Sequence, residues 1–220
     1  MAVRMIQLPS REEWLKHRQK YIGGSEASAV IGLNPYMSNQ DLFHIKRGEV
    51  TPEDISGKPY VQFGIAAEPL LRELFKITYP QYEMGYVENN SWLNDKHPYA
   101  ACSLDGWLRE RATGRKGIWE GKTCEIVSSQ HKEHWNKRIP DNYYIQLLHN
   151  LNVCDDCEFA KLTALLTFKF GEAEVYQQIK HYHIERSDVE DDIRYLAAEE
   201  KRFSVCVQTG RRPNLILPNI

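Results

Sequence analysis

"SLDGWLRERATGRKGIWEGKTC", residues 103–124, is two apolar runs joined by a basic loop, with Asp105 in the first run and Glu120-Gly121-Lys122 inside the second. Successive side chains of a β-strand alternate faces, so residues two apart project from the same side of a sheet. Glu120 and Lys122 then point the same way. Ile118 and Cys124 share their face, while Trp119 and Thr123 lie on the other. Two charged groups thus stand in a stretch otherwise suited to burial, and buried charge is expensive unless it is paired or holds a metal. Pairing 99–108 with 117–125 as a hairpin brings Asp105 to the same end as Glu120 and Lys122.

Outward from that hairpin the pattern is mixed. Residues 10–20 read as a helix, with Ser10 as N-cap and Glu13 completing a capping box. "IGGSEASAVIGL" (22–33) gives a glycine turn, a Ser25 cap and a short apolar helix ending near Gly32. Ser38 and Asp41 cap a helix that Gly48 stops. Residues 60–78 carry Phe63, Ala67, Leu70, Leu71, Leu74 and Phe75 at helical spacing. Pro69 should kink that helix beside Glu68, because its ring lacks an N–H and crowds the preceding turn. Segment 83–88 adds a third strand ahead of the hairpin. Residues 130–138 and 141–153 read as helices, the second capped by Asp141. "KLTALLTFKF" and "EVYQQIKHYHIE" form a second hairpin about "GEA", and Ser187 with Glu190 open a final helix to about 204. This order predicts an α/β (α+β) fold, a central mixed β-sheet flanked by helices. With no linker or repeat in 220 residues, a single domain over 1–220 is expected.

Hydrophobic residues make up 42% of the chain and charged residues 26%, as in soluble globular proteins. The start, "MAVRMIQLPSREEW", lacks the apolar core of a signal peptide, and no apolar run is long enough for a bilayer. A cytoplasmic protein with no membrane partner is expected. Five cysteines, an odd number, argue for reduced thiols. Cys154 and Cys157 form a Cys-x-x-Cys, but a structural zinc needs four ligands, and Cys102, Cys124 and Cys206 are scattered singly. A net charge of −2 excludes a globally basic nucleic-acid binder, though not local patches. Arg109, Arg111, Arg115 and Lys116 crowd the hairpin loop, and Lys132, Lys137 and Arg138 follow it. Residues 188–192 with Glu199 and Glu200 make the last helix acidic, and each cluster alone reads as a solvated face.

Glu-x-Lys by itself carries little weight, and Glu199-Glu200-Lys201 repeats it in the acidic helix, where it reads as surface. The copy at 120 differs through its strand and its neighbour Asp105, which set two carboxylates and an ammonium at one end of a hairpin. Carboxylate oxygens are the ligands Mg²⁺ prefers, and such an ion lowers the pKa of bound water and neutralises phosphoryl charge. The lysine would orient or help deprotonate the attacking water. An internal salt bridge of Asp105 or Glu120 with Lys122 accounts for the same residues, since ion-pair networks mimic sites. Gly23-Gly24-Ser25 ahead of a helix offers amides to a phosphate, or is an ordinary serine cap. Trp14, Trp135, Tyr143 and Tyr144 suit stacking on bases, although aromatics at helical spacing belong more often to a core.

Asp105 followed by Glu120-x-Lys122 on paired strands resembles the PD-(D/E)xK nuclease superfamily, with its restriction-endonuclease-like core. Further blocks, in order, resemble one branch of it, the lambda exonuclease or YqaJ-type viral recombinase family. They are "RQKYIGGSEASAVIGLNPYMS" (18–38), "FGIAAEP" (63–69), "HPYAACSLDG" (97–106), "WEGKTC" (119–124) and "WNKRIPDNYYIQLLHNL" (135–151). The resemblance implies Glu68 as an additional metal ligand, with Gly64 one turn away allowing close approach of backbone or DNA. It implies Asp105 and Glu120 as central ligands, the Gly121 carbonyl completing the sphere, and Lys122 positioning the nucleophilic water. Gln146 resembles the glutamine on the helix after the motif; Asn150 stands where some relatives have a tyrosine. Arg18 and Ser25 resemble the pair that binds a terminal 5′ phosphate. The implied activity is a metal-dependent exonuclease that degrades the 5′-ended strand of linear double-stranded DNA and leaves a 3′ overhang for phage-type recombination. Two Mg²⁺ ions, or Mn²⁺ in their place, a single-strand annealing partner, a ring-shaped homotrimer and a bacterial host cytoplasm come with it. The rivals are a PD-(D/E)xK endonuclease, a non-catalytic DNA-binding or assembly module, and a zinc protein built on Cys154 and Cys157.

Overall fold

Residues 116–126 form one long strand whose two faces meet different helices. The structure, a computed structural model, describes residues 3–136, 138–170 and 174–217. In chain order, β1 (Arg4–Gln7) precedes α1 (Arg11–Arg18), α2 (Gly24–Val30), α3 (Asn39–Lys46) and α4 (Pro59–Thr78). The strands β2 (Tyr82–Gly85), β3 (Asn90–Leu93), β4 (Ala101–Cys102), β5 (Gly106–Glu110) and β6 (Lys116–Ile126) follow. Then come α5 (Ser129–His134), α6 (Asp141–Val153), β7 (Phe159–Phe170) and β8 (Glu174–Glu185). A short 3-10 turn, Arg186–Asp188, leads into α7 (Glu190–Thr209).

The larger sheet has the order β2-β5-β6-β7-β8, and only the β6/β7 pair is parallel. It is the mixed sheet expected. A parallel pair needs a crossover, and α5 and α6 supply it. The alternation read from the sequence sets the layers. Ile118 is buried in one cluster with Leu147, Leu148 and Leu151 of α6. Trp119 is buried in another with Leu71 and Phe75 of α4 and Phe159 of β7, and its Nε1–H donates to Thr163 Oγ1 at 3.0 Å. Each large apolar side chain buried in this way contributes about 1.5–3 kcal/mol. The α6 layer therefore covers the face that carries Glu120 and Lys122, and α4 covers the opposite one.

Several boundaries differ from the sequence reading, each for a local reason. Segment 99–108 is two strands in two sheets: β4 pairs with β3 in a smaller sheet, β1-β3-β4, while β5 pairs with β6. The buried Asn90 makes the break. Its Oδ1 accepts from the Leu104 N–H at 2.8 Å and its Nδ2 donates to the Leu104 carbonyl at 3.0 Å, replacing the strand ladder just before Asp105. The expected strand at 83–88 ends at Gly85, and Asn89, at φ 52, turns the chain into β3.

Ser10 does cap α1, accepting from the Glu13 N–H at 3.2 Å, and Ser38 with Asp41 caps α3. Ser25 does not cap α2. Gly23 is the N-cap, and the Glu26 carboxylate accepts its N–H at 2.9 Å. Pro140 rather than Asp141 precedes α6, and Ser187 falls in the 3-10 turn ahead of α7. That last helix runs past 204 to Thr209, because Cys206 and Val207 pack against the Ile22 and Phe43 cluster. Helix α5 stops at His134, short of 138, and Lys137 and the "GEA" turn at 171–173 lie outside the described residues. Helix α4 continues unbroken through Pro69. Of the second Glu-x-Lys, Lys201 is exposed, but Glu200 between its outer members is fully buried and accepts from His149 Nδ1 at 2.6 Å.

Candidate active site

A cleft of about 240 Å³ lies against the Glu120 face, and its lining includes Arg18, Ser25, Asp105, Glu120, Lys122 and Gln146. Glu68 and Gly121 lie outside that lining. Distant parts of the chain meet here because α1 and α2 pack over the same side of the sheet as α6.

Glu120 is 2% exposed and fully engaged. Its Oε1 accepts from Lys122 Nζ at 2.6 Å and from Gln146 Nε2 at 2.6 Å, and its Oε2 accepts from Asn150 Nδ2 at 3.2 Å. Asp105 leans on the same strand, its Oδ2 accepting from the Gly121 N–H at 3.0 Å. Glu68 approaches from the α4 layer, where Arg72 Nη2 donates to its Oε1. Arg72 Nε also donates to the Asp105 carbonyl at 2.9 Å, and the guanidinium lies 3.7 Å from the Tyr86 ring centre. Gly64 faces β6 from the same helix: a Cβ there would meet Thr123 Oγ1 at 3.3 Å. The sequence reading passed over Arg72, although its spacing of four from Glu68 places the two on one helix face. It also missed Asn90, for which no sequence signal exists.

Burial dominates the electrostatics. It pushes the Glu120 carboxyl up to about 8 and Glu68 up to about 7, with the nearby Asp105 charge raising both further. For Lys122, burial pulls the ammonium down, but Glu120 and Asp105 outweigh it and the net shift is upward. Among the described residues no three carboxylate, imidazole or thiol groups form one closed metal-binding cluster. The acids instead interact pairwise through Asp105. Burial and the Asp105 charge both oppose ionisation of Glu68 and Glu120, and a hard divalent cation would stabilise the charged form of such a donor set. Mg²⁺ is commonly held by one or two carboxylates and several waters, so Asp105 and Glu120 fit such an ion.

The other end of the cleft is basic and aromatic. Arg18, the last residue of α1, donates through Nη2 to Ser25 Oγ, and its guanidinium lies 5.3 Å from the Trp14 ring centre. Trp14 Nε1 donates to Ser103 Oγ at 2.9 Å, fixing the indole at the cleft wall. The loop between α1 and α2 is pinned by Lys46, whose largely covered side chain brings Nζ to Glu26 Oε2 at 2.7 Å and to the Tyr21 carbonyl at 2.6 Å. Of the four aromatics considered for stacking, only Trp14 lines the cleft. Trp135 is core, Tyr143 packs against the core, and Tyr144 donates to Asp192 Oδ2 at 2.6 Å. The hairpin-loop cations are not simply solvated: Arg115 pairs with Glu158 and Glu185, and Lys116 with Asp156. Cys102 and Cys154 meet in the core with their sulfurs 3.7 Å apart, and Cys157 is buried near them.

The chain is 30% identical over 148 residues to the protein YqaJ of Bacillus subtilis (strain 168), an alignment that covers 66% of this chain and 42% of that protein. The chain thus spans well under half the length of that relative. Among solved structures it is similar to the alkaline exonuclease LHK-Exo of Laribacter hongkongensis, with a TM-score of 0.59 and 15% identity. That match covers 91% of this chain and 96% of the other. The complex of LHK-Exo with dAMP matches with the same TM-score at 14% identity. The mixed α/β fold is therefore that of the alkaline exonuclease. Residues 13–157, which contain both ends of the cleft and Glu68, match the family described as YqaJ-like viral recombinase domain, and the chain belongs to that family.

Proposed function

We propose that this chain is a metal-dependent exonuclease acting on the 5′-ended strand of linear double-stranded DNA, leaving a 3′ single strand for phage-type recombination. One observation carries the reading: a single cleft joins the Arg18–Ser25 pair to Asp105, Glu120, Lys122 and Gln146. Asp105 and Glu120, with Glu68 and the Gly121 carbonyl, would hold Mg²⁺ or Mn²⁺, in one or two ions. Bound there, the metal supplies an acidified water and charge neutralisation at the phosphoryl group.

The chain's own residues account for the remainder. Lys122 is placed by its ion pair with Glu120 to orient the attacking water. Gln146 holds the Glu120 carboxylate in line. Arg18 and Ser25 take the terminal 5′ phosphate through charge and hydroxyl, since the seven-residue α2 contributes little dipole of its own. Water adds to phosphorus, the bond to the 3′ oxygen breaks, and that oxygen leaves with a proton as the new 3′ hydroxyl of a nucleoside 5′-phosphate. Each cut regenerates a 5′ phosphate on the shortened strand, so the Arg18–Ser25 end meets the same chemistry at every step. Double-stranded DNA with free ends is the substrate in this reading. A single-strand annealing protein, a homotrimeric ring and a bacterial host cytoplasm are its setting. Among the described residues no helix is long and apolar enough to cross a membrane.

The test is digestion of a linear duplex with 5′-phosphate or 5′-hydroxyl ends, with Mg²⁺ or with EDTA. Faster loss of the phosphorylated strand, and none in EDTA, is expected. Equal rates would remove the Arg18–Ser25 pocket, and cleavage in EDTA would remove the metal.

A further inference from the structure

Asn150 touches both ends of the cleft. It is 1% exposed, its Nδ2 donates to Glu120 Oε2 at 3.2 Å, and its Oδ1 is buried without a hydrogen-bond partner. A buried polar atom left unsatisfied is costly and calls for an explanation. The amide is held in place from the other side. A Cβ on Gly24 would lie 2.5 Å from Asn150 Oδ1 and 3.1 Å from Gln146 Cγ, so the first residue of α2 presses directly on the two α6 side chains that grip Glu120. Gly24 is the immediate neighbour of Ser25. Only a residue without a side chain permits that approach.

We propose that Asn150 is a positioning residue that couples the two ends of the cleft, fixing the Glu120 carboxylate relative to the Gly24–Ser25 backbone through one rigid amide. The inference deepens the exonuclease reading and rests on it. With the amide wedged between Gly24 and Glu120, the spacing from the phosphate end to the carboxylates is set by a single side chain. A bound 5′ phosphate then places the scissile bond in register with the acids. Without the wedge, phosphate binding and cleavage become independent. Misplacement of reacting groups by about 1 Å costs on the order of a hundredfold in rate.

Two variants perturb the same contact from opposite sides. Asn150→Ala removes the wedge. Gly24→Ala adds a methyl that the end of the Asn150 side chain must yield to, a small displacement that leaves the backbone in place. Three quantities are read: kcat and KM on 5′-phosphorylated and 5′-hydroxyl linear duplexes with Mg²⁺, and duplex affinity in EDTA for both ends. Both variants should lose roughly tenfold to a hundredfold in kcat on the phosphorylated duplex. Their kcat ratio between the two ends should fall toward one, while KM and the affinity ratio in EDTA stay at wild-type values. A purely structural role would lower kcat on both ends alike and keep their ratio, which overturns the coupling. Retention of the wild-type ratio by either folded variant also overturns it. An inactive wild-type protein would instead sink the nuclease reading beneath it.

Discussion

Lys122 shows how one side chain serves two accounts of the same contact. Its ammonium sits 2.6 Å from Glu120 Oε1, the distance of an ion pair and also of a group poised beside a catalytic carboxylate. Substitution separates the two. Lys122→Ala should reduce cleavage of a linear duplex by about 10²–10⁴, the usual contribution of a positioned proton-transfer group, with DNA affinity retained in an anisotropy titration. Cleavage near the wild-type rate, with only a lowered melting temperature, would leave the ion pair as scaffolding. The acids make a second claim at this scale. Glu68 and Glu120 are raised to about 7 and about 8. A carboxyl raised in the folded state gives stability that is full below its ordinary value of 4.5 and is lost as pH climbs through the folded value. The metal-free protein should therefore lose stability between pH 4.5 and about 8, and a divalent cation, which needs the ionised acids, should restore it. The thermal shift produced by Mg²⁺ should be small at pH 6 and large at pH 8.5; equal shifts would exclude these carboxyls as ligands. At this scale the sequence was readable where strand alternation constrained a residue, as for Glu120 and Lys122, whereas Glu68 was singled out only by the family resemblance. Arg72 pairs with Glu68 within its own helix, where only the spacing of four could flag it. Asn90 is not legible because its partner Leu104 lies on another segment, and Asn150 stands out only as the position where some relatives have a tyrosine.

Helix α6 carries Gln146 and Asn150 to Glu120, and its buried His149 ties it to α7 and β4. Its Nδ1 faces Glu200 Oε1 on α7 at 2.6 Å and its Nε2 faces the Ala101 carbonyl on β4 at 3.0 Å, with both residues fully buried. Two acceptors on one imidazole require both nitrogens to carry hydrogen, which is the charged ring. Burial pulls the His149 pKa down, but Glu200 and the Ala101 carbonyl outweigh it and raise it overall. The stability this gives is complete below the usual 6.5 and disappears as pH rises through the raised value. His149→Gln should cost about 3–5 kcal/mol at pH 6, since it leaves a buried carboxylate without its cation. In urea unfolding the gap to wild type should narrow at pH 9, and a gap independent of pH would mean a neutral pair. The acidic segment around Glu200 reads as surface, and composition cannot show that one acid in such a run faces inward. Element types were otherwise legible through periodicity. Their ends were not, since the caps at Gly23 and Pro140 and the break at Asn90 depend on hydrogen bonds that the local pattern does not encode.

At the scale of the whole molecule, the order of elements was sufficient to predict a mixed sheet covered by helices, because strands interspersed with amphipathic helices bury their apolar faces in packed layers. The order did not show that α4 and α6 lie on opposite faces, and that placement decides which acids share the cleft. Glu68 reaches Asp105 from one layer, Gln146 and Asn150 reach Glu120 from the other, and Asp105 at the head of β5 joins them. If the Arg18–Ser25 end of the cleft takes a 5′ phosphate as proposed, cleavage should require a DNA terminus. A covalently closed circular duplex should stay intact under conditions that consume the same DNA once linearised, and a single cut by a restriction enzyme should convert one into the other. Digestion of the closed circle would favour an endonuclease. The chain carries a net charge of −2, so on the exonuclease reading affinity for DNA would come from local cations such as Arg18 rather than from the global field. Few phosphate contacts release few counterions, which predicts a shallow salt dependence, a slope near −0.9 for each phosphate engaged. A log–log slope of about −2 to −3 for end binding fits such a cleft in a single chain. A markedly steeper slope that falls to this value on dilution would show that several copies grip the duplex together.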